Sequence, residues 1–241
     1  SVGDYPVDHH HARYNGKVPP IPFPSVPSFN IPLGALMPEK IQGLVVCEKG
    51  ISVSNIANGT TRLQPVVLLT GQAAGALAAV SLQQNINVQD VSVTAVQKVL
   101  LTENVYLMPY SDVKHTDGAF KAVQWIGSWG IIKGIGKSIG WANKTYFKPD
   151  SLVTYAEISA GLNGLLPLRF SEKIKPNDPV TTAVLFEMIA SFNTAVAQHS
   201  KAARAAKISG GFLIANQTYT NAGLVVPASS KALTRKEASF I

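Results

Sequence analysis

The stretch Gly43–Gln83, GLVVCEKGISVSNIANGTTRLQPVVLLTGQAAGALAAVSLQ, limits more than any other how this chain can fold. Gly43 to Cys47 is a short apolar run ending at an acid, Glu48, which suits a buried strand that delivers one polar side chain at its C-terminal end. Polar, Gly-containing turns are expected next. Pro65 then opens an apolar, alanine-rich segment with no further proline to Gln83, and proline is favoured in a first helical turn, where its missing N–H costs nothing. A helix is expected from Pro65.

Two readings of that helix stand side by side. The small residues Gly71, Ala73, Ala74, Gly75, Ala76, Ala78 and Ala79 would let it lie close against a sheet or another helix as a buried packing element. Alternatively, the N–H groups of Val66 and Val67, with the positive end of the helix dipole, would favour an anion or a carbonyl gaining negative charge.

Composition narrows the class. At 241 residues the chain is long enough for a substantial core in one or two domains. Hydrophobic residues make up 46% and charged residues 15%, against the usual charged share of about a quarter, which excludes a disordered tail. The net charge of +7 is spread without a dense basic run or interleaved aromatics, so no nucleic-acid partner is expected. Cys47, the single cysteine, excludes an internal disulfide. The longest apolar run, Val66 to Val80, is broken by Thr70, Gly71 and Gln72, so no transmembrane segment is expected. SVGDYPVDHHH has neither the basic start nor the apolar core of a signal peptide.

Asn30 to Ala79, NIPLGALMPEKIQGLVVCEKGISVSNIANGTTRLQPVVLLTGQAAGALAA, resembles the C-terminal part of the FAD-dependent oxidoreductase family, in which a strand, a G-x-x-I-S turn, a G-[ST]-[TA]-R-x-x-P segment and a GQAAG helix close over the flavin. SVGDYPVDHHHARY resembles that family's segment beside the substrate face of the ring, and together the match covers about Ser1 to Gln84. The resemblance implies FAD as cofactor and a small organic or carbohydrate substrate. It puts Glu48 near the ribityl chain, although this chain reads Glu48-Lys49 where many relatives read G-R. Gln64, Pro65, Val66 and Val67 then approach the ring through their backbone, and Arg62 either holds an anionic substrate or stabilises reduced flavin. For Arg62 a salt bridge in the cap region is the other reading.

Asp8, His9, His10 and His11 form the second polar cluster. On an extended strand alternate side chains face opposite ways, so the three histidines do not converge on one metal, and no metal site is expected. An Asp8–His10 pair suits proton transfer at neutral pH, with structural histidines as the alternative. A flavoenzyme also needs a Gly-rich turn after its first strand to cradle the pyrophosphate, and Ser1 to Lys40 has none. Gly134 to Gly140, GIGKSIG, imitates such a loop, but Ile131 and Ile139 stand where the phosphate-loop and dinucleotide patterns need glycine. The expected partner is therefore an N-terminal FAD-binding half that is missing from this sequence.

After about Asn87 the character changes. Ser92 to Leu101 and Asp117 to Trp129 have helical apolar spacing. Three later segments echo one another: FKPDSLVTYAEISAGL from Phe147, IKPNDPVTTAVLFEMI from Ile174 and VVPASSKALTRKEASF from Val225. Thr154 with Glu157 and Thr234 with Glu237 have capping-box spacing. With GIIKG at Gly130 to Gly134, the echoes resemble S-layer homology modules, whose T-R-A-E arginine helps bind anionic wall glycans. Here Tyr155 and Thr182 replace that arginine, and Arg235 keeps it.

The resulting expectation is an α+β or mostly α chain. Residues 1–90 would be the C-terminal portion of an FAD-dependent oxidoreductase domain, an α/β remnant with strands and a long small-residue helix. Residues 91–241 would be a helical S-layer-homology-like accessory domain, and the protein would work in the periplasm or at the cell surface. Arg62, Asp8 and His10 would flank the reaction, and the chain alone would retain no FAD. The alternatives are a polysaccharide-binding module acting through Arg235 and a polysaccharide lyase.

Overall fold

The computed structural model describes residues 1–9, 16, 22–171, 173–198 and 228–241. Among these it contains seven α-helices and two small antiparallel sheets, a mixed architecture compatible with α+β. The chain forms two compact units, Ser1–Ser111 with Ile135–Tyr146, and Asp112–Gly134 with Phe147–Ile241.

In the first unit β1 (Val2–Gly3) pairs with β2 (Phe29–Asn30), and α1 (Asn55–Thr61), α2 (Gln64–Gln84) and α3 (Val93–Thr102) follow. The hairpin β3 (Ile135–Lys137) and β4 (Lys144–Tyr146) completes the unit. The helix expected from Pro65 forms, with Pro65 in its first turn, and Asn85 closes it in the left-handed conformation. Val66, Val67, Thr70, Ala73, Leu77 and Val80 make its buried face. Leu36 and Ile51 pack against Ala73, and α3 packs along α2. The first unit therefore continues through residues 91–111, beyond the change in composition near Asn87.

Three local expectations for this unit need correction. Gly43 to Cys47 is not a buried strand: Gly43 sits in a turn, Gly43 and Leu44 are exposed and Val45 to Cys47 partly buried, and the segment is tied to the core by Val45 packing on it and by the Val46 N–H bonded to the Leu36 carbonyl at 2.8 Å. A strand needs a partner ladder, and none lies beside it among the described residues. The small residues of α2 mediate close packing only in part, because Ala73 is buried whereas among the described residues nothing stands within 4 Å of a β-carbon added at Gly71 or Gly75. Leu68, at 73% exposure, and Leu82, at 81%, share with Gln72, Gly75 and Ala79 an exposed helical face. Finally, by length and composition alone α2 meets the requirement for a membrane span, as the core helix of a soluble protein also does. Thr70 does not interrupt it, because its hydroxyl is bonded to the Val67 carbonyl of the same helix at 2.7 Å.

The second unit contains α4 (Phe120–Ser128), α5 (Tyr155–Leu165), α6 (Thr182–Gln198) and α7 (Arg235–Ser239). The three sequence echoes close on one another in a ring. Val153, Val180 and Leu233, each just before a helix-capping threonine, are all buried. Val153 N–H donates to Leu233 O (3.0 Å), Leu233 N–H to Val180 O (2.9 Å) and Val180 N–H to Val153 O (2.9 Å). One turn further out the cycle repeats: Tyr155 donates to Asp178, Thr182 to Lys231 and Arg235 to Ser151. A third cycle runs from Ala156, Ala183 and Lys236 to Pro176, Ser229 and Pro149. Ser229 thus occupies the place that Pro149 and Pro176 hold in the other repeats. Val225 to Pro227, where the third echo was read to begin, lie outside the described residues. Both expected capping boxes are present, at Thr154–Glu157 and Thr234–Glu237.

Candidate active site

The segment between Cys47 and α2 folds more regularly than its polar composition suggests. Ser54 caps α1 by accepting the Ala57 N–H at 3.2 Å, and the Thr60 and Thr61 hydroxyls both bond to the Ala57 carbonyl. The serine followed by Asn-Ile-Ala was the available sign of that helix. Arg62 is its C-cap, donating its backbone N–H to Asn58 O. The short α1 therefore sets Arg62 between two helices, directly before the start of α2.

Arg62 meets Asp8 there. One guanidinium nitrogen, Nη2, donates to the Asp8 backbone carbonyl at 3.2 Å and to Asp8 Oδ2 at 3.3 Å, so it holds both the main chain and the side chain of the N-terminal segment. The pair is partly exposed, 29% for Arg62 and 30% for Asp8. Tyr5 donates its hydroxyl to the same Oδ2 at 3.4 Å. Burial first, and then the Asp8 charge and hydrogen bond, push the Tyr5 phenol up from its ordinary value. Two buried nitrogens beside this cluster, Arg62 Nε and His9 Nε2, have no hydrogen-bond partner among the described residues.

Gly59 makes the approach possible. A β-carbon there would stand 2.9 Å from Asp8 O and 2.9 Å from His9 Nε2, closer than real contacts allow. Sequence reasoning named Asp8 and Arg62 and left out Tyr5 and Gly59. The glycine had a signal in its G-T-T-R context, whereas Tyr5 had none, because a tyrosine three residues from an aspartate is unremarkable until the chain bends. His10 and His11 lie outside the described residues.

The remaining cofactor candidates lie along the same helix. Val67 N–H is already bonded to Leu63 O at 2.9 Å, which removes it from the donors expected at the helix start. Pro65 has no N–H, so the open end of α2 consists of Gln64 and Val66, with Gln64 and Pro65 exposed and Val66 and Val67 buried. Glu48 is tethered rather than free: its backbone is left-handed, with φ 59°, and its N–H donates to Thr70 Oγ1 at 3.0 Å, which leaves its side chain in solvent. A buried Arg62 Nε–H with no acceptor among the described residues, beside an open helix end, fits an acceptor-bearing edge such as that of a flavin ring.

Arg235 differs in kind. It is 4% exposed, its Nε donates to Phe147 O, and its two other nitrogens reach Glu157 Oε1 and Lys133 O. Its guanidinium also lies over the Phe147 ring, 5.0 Å from the centroid. A charge so enclosed presents nothing to a polysaccharide, which corrects the expectation of a glycan contact at this residue.

Residues 1–100 match the family model described as FAD dependent oxidoreductase. No curated protein and no solved structure matches the chain. The flavin-dependent reading is thus supported at family level for the part that carries Asp8, Arg62 and α2, and the repeat segment lies outside the match.

Proposed function

We propose that residues 1–100 form the ring-side part of an FAD-dependent oxidoreductase acting on a small organic substrate, and that a separate segment supplies the turn for the pyrophosphate. The carrying observation is the coincidence of the family match with a buried Arg62 Nε that has no acceptor among the described residues, beside the start of α2. FAD, when bound, supplies a two-electron carrier that exchanges a hydride with the substrate. Gln64, Pro65 and Val66 would hold its ring side, with Glu48 accepting hydrogen bonds from the hydroxyls of its chain. Arg62 Nε would donate to an oxygen or nitrogen at the ring edge, while Asp8 fixes the guanidinium plane. Asp8 and Tyr5 would exchange the substrate proton, and His10 is a second candidate for that role.

The second unit is read as a degenerate S-layer-homology-like accessory domain of a protein at the cell surface or in the periplasm. The three echoed segments and their ring support a scaffold role, and the burial of Arg235 argues against a glycan contact there.

Retention of flavin tests the first reading. The chain alone should not hold FAD near stoichiometric occupancy, since no Gly-rich pyrophosphate turn occurs in residues 1–40. Joined to whatever coding sequence precedes Ser1, it should purify coloured, and Arg62→Ala should then bleach it. A folded but colourless joined protein would sink the reading.

A further inference from the structure

The loop that imitated a nucleotide-binding turn has another use. Within GIGKSIG, Ile135 to Lys137 form strand β3 and Ser138 to Gly140 begin the turn to β4, so the motif leads into a hairpin and not into a helix. It comes from beyond the family-matched residues, yet it packs within the first unit. Ser28 Oγ donates to Thr145 Oγ1 at 2.7 Å in a buried contact, and Ser111 N–H donates to Thr145 O at 2.8 Å. Gly136 lies so close to Pro27 that an added β-carbon would be 2.6 Å from the proline ring. The hairpin is therefore seated on the segment that leads into β2.

Its tip is shaped in advance. Asn143 is buried, and its Oδ1 accepts the Ile139 N–H at 2.9 Å and the Ser138 hydroxyl at 3.2 Å, closing the turn from within. Gly140 supplies the positive φ of 87° that the turn needs. On this clamped turn stands Trp141, 70% exposed, with its ring centroid 5.2 Å from that of Tyr5. Trp141, Tyr5, Asp8 and Arg62 thus form one contiguous row, each touching the next. Trp141 thus packs on Tyr5 yet, among the described residues, leaves most of a large aromatic surface open.

We propose that Trp141 and Tyr5 form a substrate ledge beside Asp8 and Arg62, and that the ligand class is a neutral polyhydroxylated ring such as a hexopyranose. This inference rests on the oxidoreductase reading for its place in a reaction, but not for the binding itself. A sugar ring offers an apolar face of C–H groups to the indole and hydroxyls at its rim. Those hydroxyls donate to Asp8 and accept from Arg62. A flat aromatic ligand would cover the same polar groups without satisfying them, which is costly. An anionic ligand would meet a guanidinium whose charge is already balanced by Asp8 and would lie against that carboxylate. The paired state of Arg62 therefore favours a neutral sugar over the anionic substrate that an unpaired arginine would imply.

The test uses the whole chain without flavin, so that it reads the ledge apart from the cofactor. Methyl glucoside and cellobiose are titrated against it by saturation-transfer NMR and tryptophan fluorescence, with sodium glucuronate and p-nitrobenzyl alcohol as the anionic and aromatic comparisons. The neutral sugars should bind saturably. Trp141→Ala should weaken them about tenfold, or ~1.4 kcal/mol, without changing the thermal melt. Tyr5→Phe should keep stacking and lose the hydroxyl contact, and Trp125→Phe should leave binding unchanged. The proposal is overturned if the neutral sugars show no saturable binding, if Trp141→Ala binds as the wild type does, or if glucuronate or the aromatic alcohol binds more tightly than the sugars. Sugar binding by a chain that never acquires flavin in the joined protein would end the oxidoreductase reading and leave the ledge standing. A coloured joined protein whose chain ignores sugars would do the reverse.

Discussion

Arg62 and Arg235 each stand at a helix end and each meets a carboxylate, but their surroundings make them different instruments. Arg235 is enclosed, with two backbone carbonyls and Glu157 as acceptors and a phenylalanine ring beneath it. It joins the last repeat to the first, and Glu157 meanwhile caps α5 through its other oxygen. Arg62 is partly exposed, uses one nitrogen on Asp8 and keeps a buried Nε–H without an acceptor among the described residues. A charge with every neighbour satisfied serves stability, whereas one left partly unsatisfied next to an open helix end has interactions still to make.

The largest effect separating the two is expected from Arg235→Ala. Removing one member of an enclosed pair should cost the second unit about 3 kcal/mol, read by denaturant unfolding of the Trp125 and Trp129 fluorescence. Lysine should rescue little, because a single ammonium does not span three acceptors. A loss below about 1 kcal/mol, the range of exposed pairs, would place Arg235 in the same class as Arg62.

Gly59→Ala should come next. Its β-carbon would press on Asp8 and His9, and such overpacking costs about 1–3 kcal/mol. The first unit should melt earlier, while the Arg235-dependent unfolding stays unchanged; an alanine variant as stable as the parent would mean that the N-terminal segment does not dock as described.

Arg62→Ala should lower stability by only about 0.2–1 kcal/mol, as exposed pairs do, yet abolish flavin retention in the joined protein. Stability and function thus part company at Arg62, and an equal loss of both would erase the contrast with Arg235.

The smallest effect concerns pH. Burial raises the Glu237 carboxyl, but hydrogen bonds from Lys231 and from Thr234 outweigh it and hold the group below its usual 4.5. A depressed carboxyl contributes stability that is complete above the unfolded value and is lost as pH falls through the lower folded one. The second unit should therefore weaken slightly on acidification below that usual value of 4.5. Glu237→Gln should flatten that slope in a melting series, and a slope unchanged by the substitution would remove the carboxyl from the account.

Much of the local structure was legible in the residues. Pro65 marked the start of α2, the Thr-x-x-Glu spacings marked α5 and α7, and the echoed segments marked three equivalent starts. These signals are local, and the backbone donors they satisfy lie within one helical turn. The ring was legible only as a repetition, since nothing in the echoes shows that Val153, Val180 and Leu233 bond to one another. The expected strand at Gly43 to Cys47 failed for the converse reason, because an apolar run becomes a strand only when a partner ladder lies beside it.

The candidate site divides in the same way. The sequence by itself determined that Arg62 precedes a small-residue helix, that Asp8 belongs to a polar N-terminal cluster and that no pyrophosphate turn occurs in residues 1–40. Only the tertiary structure decided that Asp8 neutralises Arg62, that Tyr5 joins them and that Trp141, more than a hundred residues away, stands beside Tyr5. It also decided that Arg235, the one arginine kept by the repeats, lies inside the unit. The physical reason is range: caps and helix starts are settled among neighbours along the chain, whereas which charge is paired or enclosed depends on residues that meet only after folding.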